Sequence, residues 1–216
     1  MGKILDWVIT TAAVSYIRIV RATSKIEYKG RFDLVDSGDN GETFALGFWH
    51  GNSFCYYPLM PDRGHVIVTT SDKRGAVIEG IGRWFGYTPI RLPDESDPNV
   101  SLLRLRRMLS CAEGHHICFS MDGPSGPHHV PARFFLTSAL LAKKRILPIS
   151  VSVRRKVQSK KRWDKYLLPL PFANITFTFH EPLEVKKSDF DSLPDKIRAI
   201  MNGDEMEPKA GLKPAT

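Results

Sequence analysis

The chain has 216 residues, of which 42% are hydrophobic and 25% charged, and it carries a formal net charge of +8. These proportions exclude wholesale disorder and predict one domain with a packed core, while the charge turns attention to anionic partners such as nucleic acid, anionic lipid or an acidic carrier protein. No stretch holds the roughly eighteen uncharged apolar residues that span a bilayer, and no small-residue cleavage site follows the N-terminus.

The chain opens on an amphipathic pattern over residues 1–24. Leu5, Val8, Ile9, Ala12, Tyr16, Ile19 and Val20 recur at helical spacing, and Lys3, Asp6, Thr10, Arg18 and Arg21 lie elsewhere around the axis. Trp7 and Tyr16 suit a headgroup boundary, and Arg18, Arg21 and Lys25 suit anionic lipid, so the helix is either an interfacial anchor or a helix that packs its stripe on the domain core. N-myristoylation is not expected, because Gly2 is followed by Asp6 where the acylation motif has Ser or Thr.

The domain proper is expected over residues 25–201, and 202–216 read as a disordered Pro/Gly/Lys-rich tail. A short extended piece at 25–28 and a Gly/Asp-rich turn at 37–41 precede a buried strand at 44–49, which ends at His50. A second strand at 66–70 leads to a helix bearing Val77, Ile78, Ile81, Trp84 and Phe85. A third at 88–91 leads to a helix bearing Val100, Leu103, Leu105 and Leu109. Strand 117–120, a helix at 133–143, and strands 146–153 and 175–179 complete the pattern. Alternating helices and near-continuous apolar strands specify an α/β architecture, with a mixed, largely parallel sheet flanked by helices. The segment 154–165, dense in Lys and Arg and holding Trp163, is either a solvated connection or a basic surface for phospholipid or carrier protein.

Polar groups gather where these strands end, the place where an α/β sheet opens onto a crevice. His50 and Gly51 follow the first strand, Ser71, Asp72, Arg74 and Gly75 the second, Arg91 the third, and Asp122, Gly123, Pro124, Ser125, Gly126 and Pro127 the fourth. Neutral imidazole is suited to taking a proton from an alcohol. Gly51 implies close approach by a substrate or by backbone. The Asp122 loop must be rigid and irregular, and its carboxylate can orient a base, pair with Arg91 or Arg133, or hold the turn. Cys55, Cys111 and Cys118 lack any ligand spacing and read as buried free thiols in a reducing compartment. The pairs His115–His116 and His128–His129 would diverge in a strand and make no zinc site alone. There is no GxGxxG after a strand, no P-loop lysine and no nucleic-acid motif, so neither metal, nucleotide cofactor nor nucleic acid is expected.

The order Trp-His-Gly at 49–51, Gly-Tyr-Thr-Pro-Ile-Arg at 86–91, Asp-Gly-Pro-Ser-Gly-Pro at 122–127 and Leu-Pro-Ile-Ser-Val at 147–151 resembles the DUF374 branch of the lysophospholipid acyltransferase superfamily, from the N-terminal helix to about Leu183. The resemblance implies a glycerolipid-acyltransferase-like fold on the cytoplasmic side of the inner membrane. The protein would be held peripherally there by the N-terminal helix and loop 154–165, with acyl-CoA or acyl carrier protein as donor and a lysophospholipid or glycolipid as acceptor. It places the base on His50 and acceptor phosphate on Arg91, and it assigns acceptor binding to the Asp122, Gly123, Pro124 and Gly126 block, with Ser71, Asp72 and Arg74 beside it. The sequence departs from the superfamily in having Cys55 five positions after His50, where an Asp orients the ring. Asp122 is then the favoured orienting group and Asp72 the second candidate. Arg74-Gly75 also replaces the branch's usual Asp-Gly. A non-catalytic lipid-binding scaffold that keeps the fold is the alternative.

Overall fold

The computed structural model describes residues 3–36, 41–57, 65–70, 73–92 and 102–203, without the side chains of residues 73, 74, 103 and 104. Among the described residues, seven strands make one sheet: β1 (Lys25–Gly30), β2 (Ala45–Phe48), β3 (Val66–Thr70), β4 (Thr88–Leu92), β5 (Ile117–Ser120), β6 (Ile146–Gln158) and β7 (Leu167–Phe179). Their order is β1-β7-β6-β2-β5-β3-β4. All neighbours are parallel except β6 and β7, which form an antiparallel hairpin. The mixed, largely parallel sheet expected from sequence is therefore present. Because β6 runs parallel to β2, the tip of its hairpin rises from the same sheet edge as the carboxyl ends of β2 and β5.

Six α-helices among the described residues cover the two faces: α1 (Lys3–Thr23), α2 (Asp33–Asp36), α3 (Lys73–Trp84), α4 (Leu102–Leu109), α5 (Arg133–Leu141) and α6 (Leu193–Gly203). One core packs Val14, Ile17 and Val20 of α1 and Ile81 of α3 against Leu46, Leu147, Ile149 and Phe177 of the sheet. The other packs Leu105, Phe135, Leu136, Ile197 and Met201 of α4, α5 and α6 against Ala45, Val66, Ile117 and Ile146. Central strands buried on both faces explain the unbroken apolar run of β2.

Four sequence expectations change. The apolar stripe assigned to the N-terminal helix is divided: Leu5, Val8, Ile9 and Ile19 are exposed, as an interfacial anchor would have them, while Val20 is buried and Tyr16 packs against the core beside Val14 and Ile17. Helix α1 is apolar on both sides. The last two strands run to thirteen residues each rather than stopping at the buried portion. Helix α6 continues past the expected end of the domain to Gly203, and the remainder of the predicted tail, 204–216, lies outside the described residues. Cys111 is exposed, whereas Cys55 and Cys118 are buried, with thiols that burial pushes up to about 12.

Candidate active site

Strand β2 ends at Phe48, and the chain turns at Trp49 into a 3-10 helix, His50–Cys55. This turn presents the His50 ring beside the hairpin tip. Nδ1 of His50 lies 2.8 Å from Oδ2 of Asp164, whose side chain is wholly buried. Asp164 also accepts from Arg162, Nε to Oδ1 at 2.9 Å and Nη2 to Oδ2 at 2.8 Å, and from the Tyr166 N–H at 3.2 Å. Burial pushes this carboxyl up, but the hydrogen bonds from Arg162 and His50 and the positive charge of Arg162 outweigh it and hold it at about 2. An ionised carboxylate only accepts, so Nδ1 of His50 carries the proton and Nε2 keeps its lone pair, able to accept one.

Two glycines make this approach possible. A Cβ on Gly51 would sit 2.1 Å from the Asp164 carbonyl oxygen, so the close approach implied by the sequence is made by the hairpin backbone. A Cβ on Gly126 would sit 2.5 Å from Cε3 of Trp163, so the Asp122 loop and the hairpin tip pack directly on one another. The Trp163 ring stands 5.4 Å from that of His50.

Asp122 is correspondingly not the orienting group. Its Oδ1 accepts the backbone N–H of His50 at 2.7 Å, and its Oδ2 accepts that of His129 at 3.4 Å, so it fixes the turn that carries the ring. Burial raises its carboxyl above the usual range. It pairs with neither Arg91 nor Arg133; the latter pairs with Asp191. Asp72 and Ser71 lie outside the described residues, as does the side chain of Arg74. Arg91, expected to hold phosphate, instead donates through Nε to Glu79 Oε2 at 2.9 Å on α3. Cys55 points into the core rather than at His50. His128 and His129 lie in a turn rather than a strand, and their rings stack 3.7 Å apart, with His129 on Trp49.

Above this pairing opens a cavity of about 670 Å³, within the range of about 300–1,000 Å³ typical of small-molecule sites. His50, Ser120, Asp122, Gly123, Pro124, Gly126, Arg162 and Trp163 line its polar end. Ala13, Leu46, Ile67, Val77, Ile78, Ile81 and Tyr87 line an apolar end between the sheet and helices α1 and α3. Of the sequence-predicted site residues, His50, Asp122, Gly123, Pro124 and Gly126 are brought together here and Arg91 is not.

A search of solved structures finds the 1-acyl-sn-glycerophosphate (LPA) acyltransferase PlsC of Thermotoga maritima, with a TM-score of 0.52 at 14% sequence identity over 94% of this chain and 81% of that one. The fold is that of a glycerolipid acyltransferase. No family model matches the chain, so the DUF374 branch named by resemblance is not shown. Among curated proteins, an uncharacterized Rickettsia prowazekii protein, RP090, is 27% identical over 206 residues, covering 93% of this chain and 88% of that protein. Within the glycerolipid-acyltransferase fold, the buried acid beside the histidine comes from the β6–β7 hairpin, more than a hundred residues downstream in the chain. One local signal marks it: Asp164 is a single acidic residue between Trp163 and Lys165 in an otherwise basic loop.

Proposed function

We propose that the protein is an acyltransferase that moves a fatty acyl chain from a thioester, acyl-CoA or acyl carrier protein, to a hydroxyl of a lysophospholipid or glycolipid. The observation that carries this reading is the pairing of His50 with the buried, ionised Asp164 at the polar end of an otherwise apolar cavity. In the reaction, Nε2 of His50 removes the hydroxyl proton and the oxygen attacks the thioester carbonyl. The tetrahedral adduct then collapses, and the thiolate leaves with the proton from the imidazolium, while Asp164 holds the ring and stabilises its charge. The apolar end has the lining an acyl chain requires. The chemistry draws on no metal or nucleotide cofactor.

The alternative, a lipid-binding scaffold, predicts a filled pocket and an unsupported histidine; the open cavity and the satisfied carboxylate favour catalysis. We place the protein peripherally on the cytoplasmic face of the inner membrane. Support comes from the outward apolar residues of α1, among them Ile4 and Trp7, with Arg18 and Arg21 on the same helix. No helix among the described residues is long and apolar enough to cross a membrane. The test is transfer of radiolabelled acyl groups from acyl-CoA and acyl carrier protein to a panel of lysolipids and glycolipids. Transfer by the wild type that His50→Ala abolishes, with folding retained, supports the reading; no transfer to any acceptor returns it to the scaffold.

A further inference from the structure

We infer that Phe172, in a bulge of β7, is a second point of contact with a bilayer, and that together with α1 it sets how the protein sits on an anionic lipid surface. The inference rests on the peripheral placement proposed above, and on neither the acyl donor nor the acceptor. Three observations point to it.

First, the backbone is strained where it exposes an aromatic ring. In the β6–β7 hairpin Arg154 pairs with Asn174 and Lys156 with Pro169, so Arg155 alone faces residues 170–173, and β7 bulges between the two pairs. Phe172 stands in this bulge with a φ of 62° and is 64% exposed. The left-handed region is unfavourable for a bulky side chain, and a ring left in water returns no packing energy for it. Asparagine or glycine would hold this backbone more easily, so the fold itself does not account for the phenylalanine.

Second, one hydroxyl joins the bulge to the outward face of α1. Thr23 Oγ1 donates to the Ile19 carbonyl at 2.8 Å and accepts the Phe172 N–H at 3.2 Å. The next N–H, of Ala173, bonds Ser24 Oγ at 3.1 Å, and the Tyr16 hydroxyl donates to the Pro169 carbonyl at 2.9 Å. The bulge is thus fixed one helical turn beyond Ile19, and it extends the exposed apolar strip that runs through Ile4, Leu5, Val8 and Ile19. Over the 21 residues of α1 the strip is about 30 Å long. A strip of that length matches a planar, fluid surface, into which separate side chains each sink.

Third, the charge beside the strip selects an anionic surface. Between Lys144 and Glu181 the chain carries a single acid, Asp164, and its side chain is wholly buried. Arg154, Arg155 and Lys156, across the hairpin from the bulge, are exposed, as are Arg18 and Arg21 of α1. Cations flanking an apolar, aromatic edge are complementary to anionic headgroups above an acyl layer.

The experiment is co-sedimentation of the full chain with phosphatidylcholine vesicles that contain or lack phosphatidylglycerol, for the wild type, Phe172→Asn and Phe172→Trp. Urea unfolding of each is measured in parallel. The wild type is expected to bind the anionic vesicles, and Phe172→Asn to bind them about tenfold or more weakly, the scale of one apolar ring leaving water. Phe172→Trp should bind as tightly as the wild type or more so. The urea midpoint of Phe172→Asn should hold or rise, because asparagine accepts this φ; a ring needed by the fold would lower it. A nitroxide attached to Phe172→Cys in a Cys111→Ser background reports depth: on vesicles it should become shielded from a water-soluble nickel reagent and more accessible to oxygen. Wild-type and Phe172→Asn proteins that bind anionic vesicles equally overturn the inference, and so does a nitroxide still open to nickel on the bound protein. A wild type that dimerises without lipid, and that Phe172→Asn turns into a monomer, gives the bulge to a second copy of the chain and also overturns it. A wild type that binds no vesicle removes the peripheral placement and the inference together. Acyl transfer enters none of these readouts, so a result against the bulge leaves the acyltransferase reading where it stands.

Discussion

At the scale of the residue, a histidine beside a buried carboxylate is an asymmetric device, and in the proposed reaction the acid's position is what would make His50 the base. Asp164→Asn keeps the shape and removes the charge that fixes the proton on Nδ1. The amide can present its NH₂ to the ring instead, which leaves the proton on Nε2, where no base remains. Transfer is therefore expected to fall about 10²- to 10⁴-fold, the range of general-base contributions, with the circular dichroism spectrum unchanged; activity within threefold of wild type would show that the pairing is structural. His50 itself was legible, because a histidine following an apolar strand and preceding a glycine is a local pattern. Its partner was not. Asp164 lies 114 residues away, and nothing in a single sequence ties two such positions together. Asp122 looked better placed because it closes a neighbouring strand, and it does reach His50, but through the backbone N–H rather than the ring.

At the scale of the element, the hairpin and α1 each carry more than their periodicity announced. Strand β6 bends at a bulge where the register shifts between Arg154 and Lys156 and Arg155 takes a φ of 65°, so the basic segment, read as either a connection or a basic surface, curls over the cavity with Asp164 inside it. The outer half of β6, residues 154–158, is exposed and mostly polar, and the outer half of β7, residues 167–172, is apolar but interrupted by Pro169 and Pro171, so alternation did not reveal the hairpin's reach. Helix α1 is two-faced. Ile4 and Trp7 are 80% and 65% exposed, and neither belongs to the core. Replacing both with Glu should leave the unfolding midpoint within about 0.5 kcal/mol of wild type. Each loses the roughly 1.5–3 kcal/mol that an apolar side chain gains on leaving water, so co-sedimentation with anionic phospholipid vesicles should fall at least about 100-fold. Undiminished vesicle binding by the double variant would relocate the contact to another surface, and the basic hairpin would be the next to test.

At the scale of the whole molecule, the alternation of strands and helices specified the layers, while the reversal of β7 and the pairing of β1 with it depended on long-range partners that local pattern does not encode. That assembly brings three acid-sensitive groups to one edge. His129 is held down at about 4 by burial and by neighbouring His128 and Lys165, and His128 is lowered by burial and by Lys165. The folded state therefore disfavours protonation that the unfolded chain accepts near pH 6.5, and stability falls as pH drops from about 6.5 towards 4. For His129 the upper value is about 3 kcal/mol, smaller because the ring keeps some contact with water. Asp164 acts lower. Its carboxyl, held at about 2 against an ordinary 3.8, contributes about 2 kcal/mol that is fully present above pH 4 and is lost as pH falls towards 2. Against a typical total of about 5–15 kcal/mol, the first loss alone is measurable, so urea midpoints should already decline between pH 7 and pH 5. His129→Asn isolates the cause. Asparagine tolerates the φ of 55° at this position and does not titrate, so the variant should begin less stable, having lost the stack on Trp49, and show a flatter decline between pH 6.5 and 4. A decline as steep as that of the wild type would move the acid-sensitive group away from the His129 loop.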